Sequence, residues 1–333
     1  MRINYLVQDT ALFGGVKVVL HHAELLRRAG HEVTIVSPAG RPDWYSVESL
    51  FVQVPELDAA SVRPAELHIA TFWTTVEVAL AVPSGIAAHY CQGFEAGLDH
   101  NRDEHPKILE AYANRMPTFA VSPHLAELNR DRFGRPVRVV PPALEPFWCP
   151  TRRTGPASRP RVVVPHPFEF YMKGVDTALG AVRALRERGV DLELVRISQW
   201  PLSDAERAVA EPDEFHHHIR PNEVAELLAG CDLMLAPSWE SEGFGLAVLE
   251  AMACGLPVVA SEIPSHSGFA AGAAELVPAK DVTGLADAAR SVLSNPERWL
   301  EMRRRGLEVV RGFAEDVVVD VVDHAVHWAA SGV

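Results

Sequence analysis

The chain is poor in the features that mark several large functional classes. Its four cysteines (Cys91, Cys149, Cys231 and Cys254) are scattered with no Cys-x-x-Cys pair, which argues against a disulfide framework and a thiolate zinc site. No uninterrupted apolar run approaches the roughly 18 residues of a membrane span. The first residues, Met1–Val7, read as a short strand without the apolar core or cleavage site of a signal peptide. The expectation is a cytoplasmic protein with buried or neutral thiols. Basic residues are in deficit, 31 Lys+Arg against 44 Asp+Glu, for a formal net charge of −13. Residues 1–150 carry 13 against 17, and the remainder 18 against 27. Neither half has the basic excess of a nucleic-acid binder, and no basic amphipathic helix suggests membrane docking.

Chemical signatures are missing as well. No Gly-x-Gly-x-x-Gly follows a strand, which speaks against a nicotinamide dehydrogenase. A P-loop and a Gly-x-Ser-x-Gly elbow are absent. No Asp-x-Asp follows a strand, so a metal-bound diphosphate is not expected. His216-His217-His218 cannot turn three consecutive rings on one ion and has no supporting Asp or Cys, so it reads as a solvated loop and no metal is expected.

What is present is alternation. At 333 residues, 48% hydrophobic and 23% charged, the chain suits a soluble globular protein of two domains. Ile3–Gln8 reads as a strand and Gly14-Gly15 as a break. Val16–Ala29 has helical periodicity up to Gly30, and His31–Ser37 is the next strand. This βαβ unit predicts a parallel sheet. Leu67–Phe72, Ile86–Cys91, Thr118–Val121 and Val137–Val140 continue the strands, and Ser122-Pro123 opens a helix. The Pro-, Gly- and Ser-rich stretch 149–160 reads as the domain linker. A second alternation follows: strands Arg161–Val164, Leu192–Ile197, Leu233–Ala236 and Pro257–Ala260, with helices between. The fold class is α/β, with two doubly wound parallel sheets. Such sheets bind ligands beyond the carboxyl ends of their strands.

The most informative stretch is Pro237–Ser261. Pro237 ends a buried strand, and Ser238–Gly243 forms a loop. A helix then runs from near Phe244 or Gly245 to about Cys254, where Gly255 and Pro257 stop it. The amides of Gly243, Phe244, Gly245 and Leu246 point out of the helix start as an anion cradle, and the flanking glycines admit close approach of a phosphate. Glu242 suits sugar hydroxyls, since a carboxylate is a strong acceptor. Glu250, eight positions later, lies about 7–8 Å along the helix, roughly the separation of diphosphate and ribose in one nucleotide.

This stretch strongly resembles the Glu-x7-Glu region of the retaining glycosyltransferases of family 4, including glycogen-synthase-like and mannosyltransferase-like members. Weaker likenesses run along the chain. Gly14-Gly15 resembles the N-terminal glycine loop, and Val121–Leu125 the Val-Ser segment near the end of the first domain. Asp281–Ala286 resembles the Asp-x-x-x-Leu-Ala stretch, and Gly312-Phe313 the start of a tail that crosses back. The resemblance implies the GT-B architecture: two Rossmann-like domains facing across a cleft. It places an acceptor-binding domain at 1–150, a nucleotide-sugar domain at 151–315 and a returning helix at 316–333. It implies a retaining hexosyltransferase with a nucleoside-diphosphate sugar as co-substrate, a carbohydrate or small-molecule acceptor, and neither cofactor nor metal. UDP-glucose and GDP-mannose are the favoured donors, with dTDP-rhamnose open. Glu242, Lys173 and Gln92 are then the catalytic candidates. Gly15, Gly243, Phe244, Gly245, Leu246 and Glu250 bind donor, and Glu95 and His89 face the acceptor.

Two departures stand out. The family's Gly-Arg on the first strand of the second domain is missing from Val164-Pro165-His166-Pro167-Phe168, although the lysine of Met172-Lys173-Gly174 is present. His166 and Arg196 are the candidates to replace that arginine. In the first domain the family histidine at a strand end has Gln92 as its nearer equivalent, with His89 inside the strand. Alternative readings are a sugar-nucleotide epimerase, a phosphorylase, or a non-catalytic sugar-nucleotide binder.

Overall fold

The computed structural model describes residues 1–332 and divides into two units, Met1–Ala143 with the stretch from Phe313 onward, and Leu144–Gly312. The first unit contains β1 (Arg2–Leu6), α1 (Gly14–Arg28), β2 (Glu32–Ser37), β3 (Leu50–Gln53), β4 (Leu67–Ala70), α2 (Trp73–Ala81), β5 (Ile86–Cys91), α3 (His105–Ala113), β6 (Thr118–Ala120), α4 (Pro123–Phe133) and β7 (Val137–Val139). The second contains β8 (Arg161–Pro165), α5 (Val175–Glu187), β9 (Glu193–Ser198), α6 (Asp204–Val209), β10 (Glu214–His217), α7 (Pro221–Ala229), β11 (Leu233–Ala236), α8 (Leu246–Ala253), β12 (Val258–Ser261), α9 (Pro264–Ala270), β13 (Glu275–Val277), α10 (Val282–Leu293) and α11 (Pro296–Val309). The last helix, α12 (Glu315–Ala330), belongs to the first unit.

Every strand pairing is parallel. The sheet orders are β3-β2-β1-β4-β5-β6-β7 and β10-β9-β8-β11-β12-β13. In each sheet the chain order reverses once, between β1 and β4 and between β8 and β11. A crevice opens at such a reversal, where the connections leave toward opposite faces. The strands read almost continuously apolar because helices cover both faces; β4, β11 and β12 are buried at every position. The core of the second unit gathers Val162 and Val164 of β8, Leu179 and Val182 of α5, Leu285 and Ala289 of α10, and Trp299 of α11.

In the first unit α12 buries Val318, Val322, Ala325, Val326 and Ala329. Glu315 at its start takes His21 at 2.7 Å and Arg28 at 2.8 Å, both from α1. Asp323 meets His31 Nε2 at 2.6 Å. Among the described residues, no helix is long and apolar enough to cross a membrane.

Three local expectations change. Gly14 and Gly15 form the first turn of α1 rather than a break before it. The stretch 149–160 is fastened to the second unit instead of hanging free. The buried carboxylate of Asp232 accepts the amides of Ala157 at 2.9 Å and Arg161 at 2.8 Å, and Arg153 donates to the Cys231 carbonyl at 2.7 Å. His216 and His217 lie on the edge strand β10 rather than in a loop, with His216 Nε2 2.6 Å from Glu214.

Candidate functional site

The loops leaving β8 and β11 in the second unit carry most of the singled-out residues, and the local backbone explains how they meet. Gly174 follows a single 3-10 turn, Tyr171–Lys173, and has φ +62°. A Cβ there would lie 2.1 Å from the Pro237 carbonyl oxygen, so only glycine lets this turn press against the end of β11. The Trp239 amide donates to the Met172 carbonyl at 2.8 Å and seals the contact. Lys173 thereby reaches Glu242, Nζ to Oε2, at 2.6 Å, with little of either side chain exposed. Two catalytic candidates 69 residues apart form one largely buried ion pair.

Burial alone would raise the Glu242 pKa. The Lys173 charge and hydrogen bond, assisted by His166 and His266, outweigh it and hold the carboxyl down at about 2. Glu242 is thus ionised across the physiological range, a negative acceptor beside Lys173 in a site of low dielectric.

Gly245 caps α8 at φ +93°. The Phe244 ring stacks on Phe269 at 4.7 Å and 5° between planes. Gly243, Phe244 and Gly245 are buried, Leu246 is partly exposed, and Glu250 is half-buried one turn into α8. One helix start therefore gathers the glycine turn and both carboxylate positions, with Lys173 alongside.

His166 and Arg196 have different fates. His166 sits beyond β8 at φ +81°, a conformation a non-glycine residue rarely holds. Burial first, then Lys173, pushes its pKa down to about 3. Arg196 is corrected from ligand contact to scaffold. It is completely buried and pairs with Glu206 at 2.5 Å. It also donates to the His166 carbonyl at 2.8 Å and to the Val164 carbonyl. Its guanidinium is buried and holds the end of β8 in place.

In the first unit Gln92 Nε2 donates to the Gly15 carbonyl at 3.0 Å, and a Cβ on Gly15 would come within 3.3 Å of the same amide. Gln92 and Gly15 are therefore neighbours. His89 is corrected from acceptor contact to core. It is completely buried in β5, and Nδ1 accepts from Arg135 at 2.8 Å. Burial and that cation drive its pKa well below the ordinary value, so the ring stays neutral. Glu95 turns inward onto the Tyr112 hydroxyl at 2.7 Å, and burial lifts its pKa to about 7.

The thiols of Cys91, Cys231 and Cys254 are buried, and desolvation raises them to about 11, 12 and 12. Cys149 is exposed.

Residues 159–295, which contain this whole constellation of the second unit, match the family model described as Glycosyl transferases group 1. This stretch is similar to that family. The chain is similar to two curated proteins of Mycobacterium tuberculosis. The GDP-mannose-dependent alpha-(1-6)-phosphatidylinositol dimannoside mannosyltransferase is 35% identical over 129 residues, 38% of this chain and 34% of that protein. The glycogen synthase is 33% identical over 194 residues, 56% and 44% of the two chains. The chain thus spans less than half the length of either relative. HepE of Anabaena, solved in complex with UDP-glucose, superposes with a TM-score of 0.78 at 14% identity, covering 98% of this chain and 100% of that one. At that identity the likeness is one of fold, and the fold is that of the GT-B glycosyltransferases.

Sequence reasoning did not single out His266 of α9. It is buried with its ring edge against Gly245. The only signal was a lone histidine after Ile263-Pro264-Ser265, which is no more specific than any core histidine.

Proposed function

We propose that the chain is a retaining hexosyltransferase that uses a nucleoside-diphosphate sugar, UDP-glucose or GDP-mannose, and a hydroxyl of a carbohydrate or small-molecule acceptor. The observation that carries this reading is the largely buried Lys173–Glu242 pair at the start of α8, within the stretch similar to the glycosyl transferases group 1 family. The two favoured donors agree with a relative named for GDP-mannose and a structural neighbour solved with UDP-glucose.

The diphosphate rests on the amide end of α8 and draws Lys173 toward its oxygens; Glu250 receives the ribose. Glu242, released from part of its ion pair, accepts hydrogen bonds from the donor sugar hydroxyls. The bond from the anomeric carbon to the phosphate oxygen breaks, and charge develops positive on the sugar and negative on the phosphate. The acceptor oxygen bonds to the anomeric carbon on the face the phosphate leaves, and its proton passes to the departing phosphate oxygen. No covalent carboxylate intermediate is needed, and neither metal nor cofactor enters. Fixed donors aimed at developing charge in a dry site supply a large share of such rate enhancement. We assign the protein to the cytoplasm.

Glu242→Ala tests the reading. The variant keeps the wild-type circular dichroism spectrum and loses at least about a hundredfold in kcat with UDP-glucose or GDP-mannose. Undiminished transfer by a folded variant refutes the assignment. Donor consumed with inorganic phosphate and no acceptor would instead identify a phosphorylase.

A further inference from the structure

His266 lies in α9, only 1% exposed. Its Nδ1 is 3.0 Å from the Ser261 carbonyl oxygen. A carbonyl only accepts, so Nδ1 carries the hydrogen and the neutral ring is bare at Nε2. That Nε2 is buried and has no hydrogen-bond partner. It points at the start of α8: a Cβ on Gly245 would fall 2.8 Å from Nε2 and 2.6 Å from Cδ2. An imidazole held this firmly by its far nitrogen, with its near nitrogen unsatisfied at a helix start, lacks a partner that a ligand would supply.

The charge balance says which ligand. A diphosphate carries more than one negative charge, and Lys173, the cation at this place, is already shared with Glu242. Arg196 is completely buried and is held by Glu206 and main-chain carbonyls. We infer that His266 is the second cation for the donor diphosphate, neutral in the free protein and protonated at Nε2 when a nucleoside diphosphate binds at the start of α8. The inference rests on the proposed function's placement of the diphosphate. The proton comes from solvent, and no other bond changes. Nδ1–H stays on the Ser261 carbonyl, and the new Nε2–H donates to a phosphate oxygen without the ring turning.

Three titratable groups bear on His266. Burial, the largest influence, lowers its pKa, and Lys173 adds to that; Glu242 opposes both. His166 is coupled to His266 as well and is held neutral by its own burial. An arriving diphosphate adds negative charge against this background and favours the imidazolium.

Calorimetric titration of the full chain with UDP, GDP, ADP and dTDP, each in buffers of different ionisation enthalpy, counts the protons taken up. The measurement is made near about pH 8, above the terminal phosphate's own titration. Wild type takes up close to one proton per nucleotide bound. His266→Gln takes up none and binds more weakly; His266→Asn, which retains a donor for the Ser261 carbonyl, behaves alike. Wild-type affinity falls by up to about tenfold per pH unit as pH rises, and the variants lose that slope. Binding without proton uptake by wild type overturns the inference and leaves the proposed function standing, as does uptake that persists in folded His266→Gln. No binding of any of the four nucleotides overturns the proposed function, and this inference with it.

Discussion

At the scale of single residues, the Lys173–Glu242 pair combines attraction with the cost of burying two charges. Removing one partner of a buried pair typically costs about 3–5 kcal/mol, because the other charge is left unpaired out of water. Lys173→Met is therefore expected to lose stability of that order in urea unfolding at neutral pH, and Lys173→Met/Glu242→Gln to regain most of it. The pH dependence follows from the sign of the shift. The folded pKa of Glu242 lies below its ordinary value, at about 2. Its contribution is complete above the ordinary carboxylate range and is lost as pH falls through that folded value. In Lys173→Met burial acts alone and raises the pKa, so the deficit against wild type shrinks on acidification.

Glu95 has the opposite sign. Tyr112 has one hydroxyl hydrogen but stands 2.7 Å from both the Gly93 carbonyl and Glu95 Oε2. Both contacts hold together when Glu95 is protonated and donates to the tyrosine oxygen. Its folded pKa of about 7 means that stability declines as pH rises from the ordinary glutamate range toward 7, then levels off. Glu95→Gln is expected to match wild type at acidic pH and exceed it by up to about 3 kcal/mol at alkaline pH in denaturant melts. A difference independent of pH contradicts the shared-proton arrangement.

At the scale of elements, two glycines set the site. Gly174→Ala puts a methyl into the Pro237 carbonyl at a left-handed residue. A loss of about 2–4 kcal/mol is expected. Transfer activity should fall further than stability explains, because the 3-10 turn carries Lys173 away from Glu242. A crystal structure of the variant with the ion pair intact would contradict this. Gly245 is equally constrained, by φ +93° and by the His266 ring.

The sequence made some of this legible. The glycine turn, the helix stop at Gly255 and the apolar strands have local causes, so α8 appeared within about two residues of its observed start. Lys173 and Glu242 were each named from motif context. Their contact was not readable, because it depends on Gly174 docking against a strand end far along the chain. Arg196 was misjudged for a related reason. It was a candidate only as a substitute for the arginine missing from the first strand of the second domain, and its partner, Glu206 on α6, is not readable from the sequence. His89 failed in the same way, with Arg135 as the hidden partner.

At the scale of the whole molecule, two sheets of the same winding lie in one chain, and the group 1 match covers only the second. Binding restricted to the native state raises apparent stability by about 2.7 kcal/mol at a hundredfold excess over Kd. The matching nucleoside diphosphate should therefore delay thermal unfolding of the second unit. Two separate transitions, with only one responding, are the expected calorimetric trace, since two-state behaviour is not assured for two units.

The return of α12 to the first unit has a consequence for synthesis. Leu144–Gly312 is continuous in sequence, so it has all of its strands once the ribosome passes α11. The earlier-made unit must wait longer. The surfaces that Val318, Val322 and Val326 will cover stay open to water until α12 emerges. During translation, chaperones and proteases meet an exposed target on the part made earlier, and the piece that closes it follows the whole second unit.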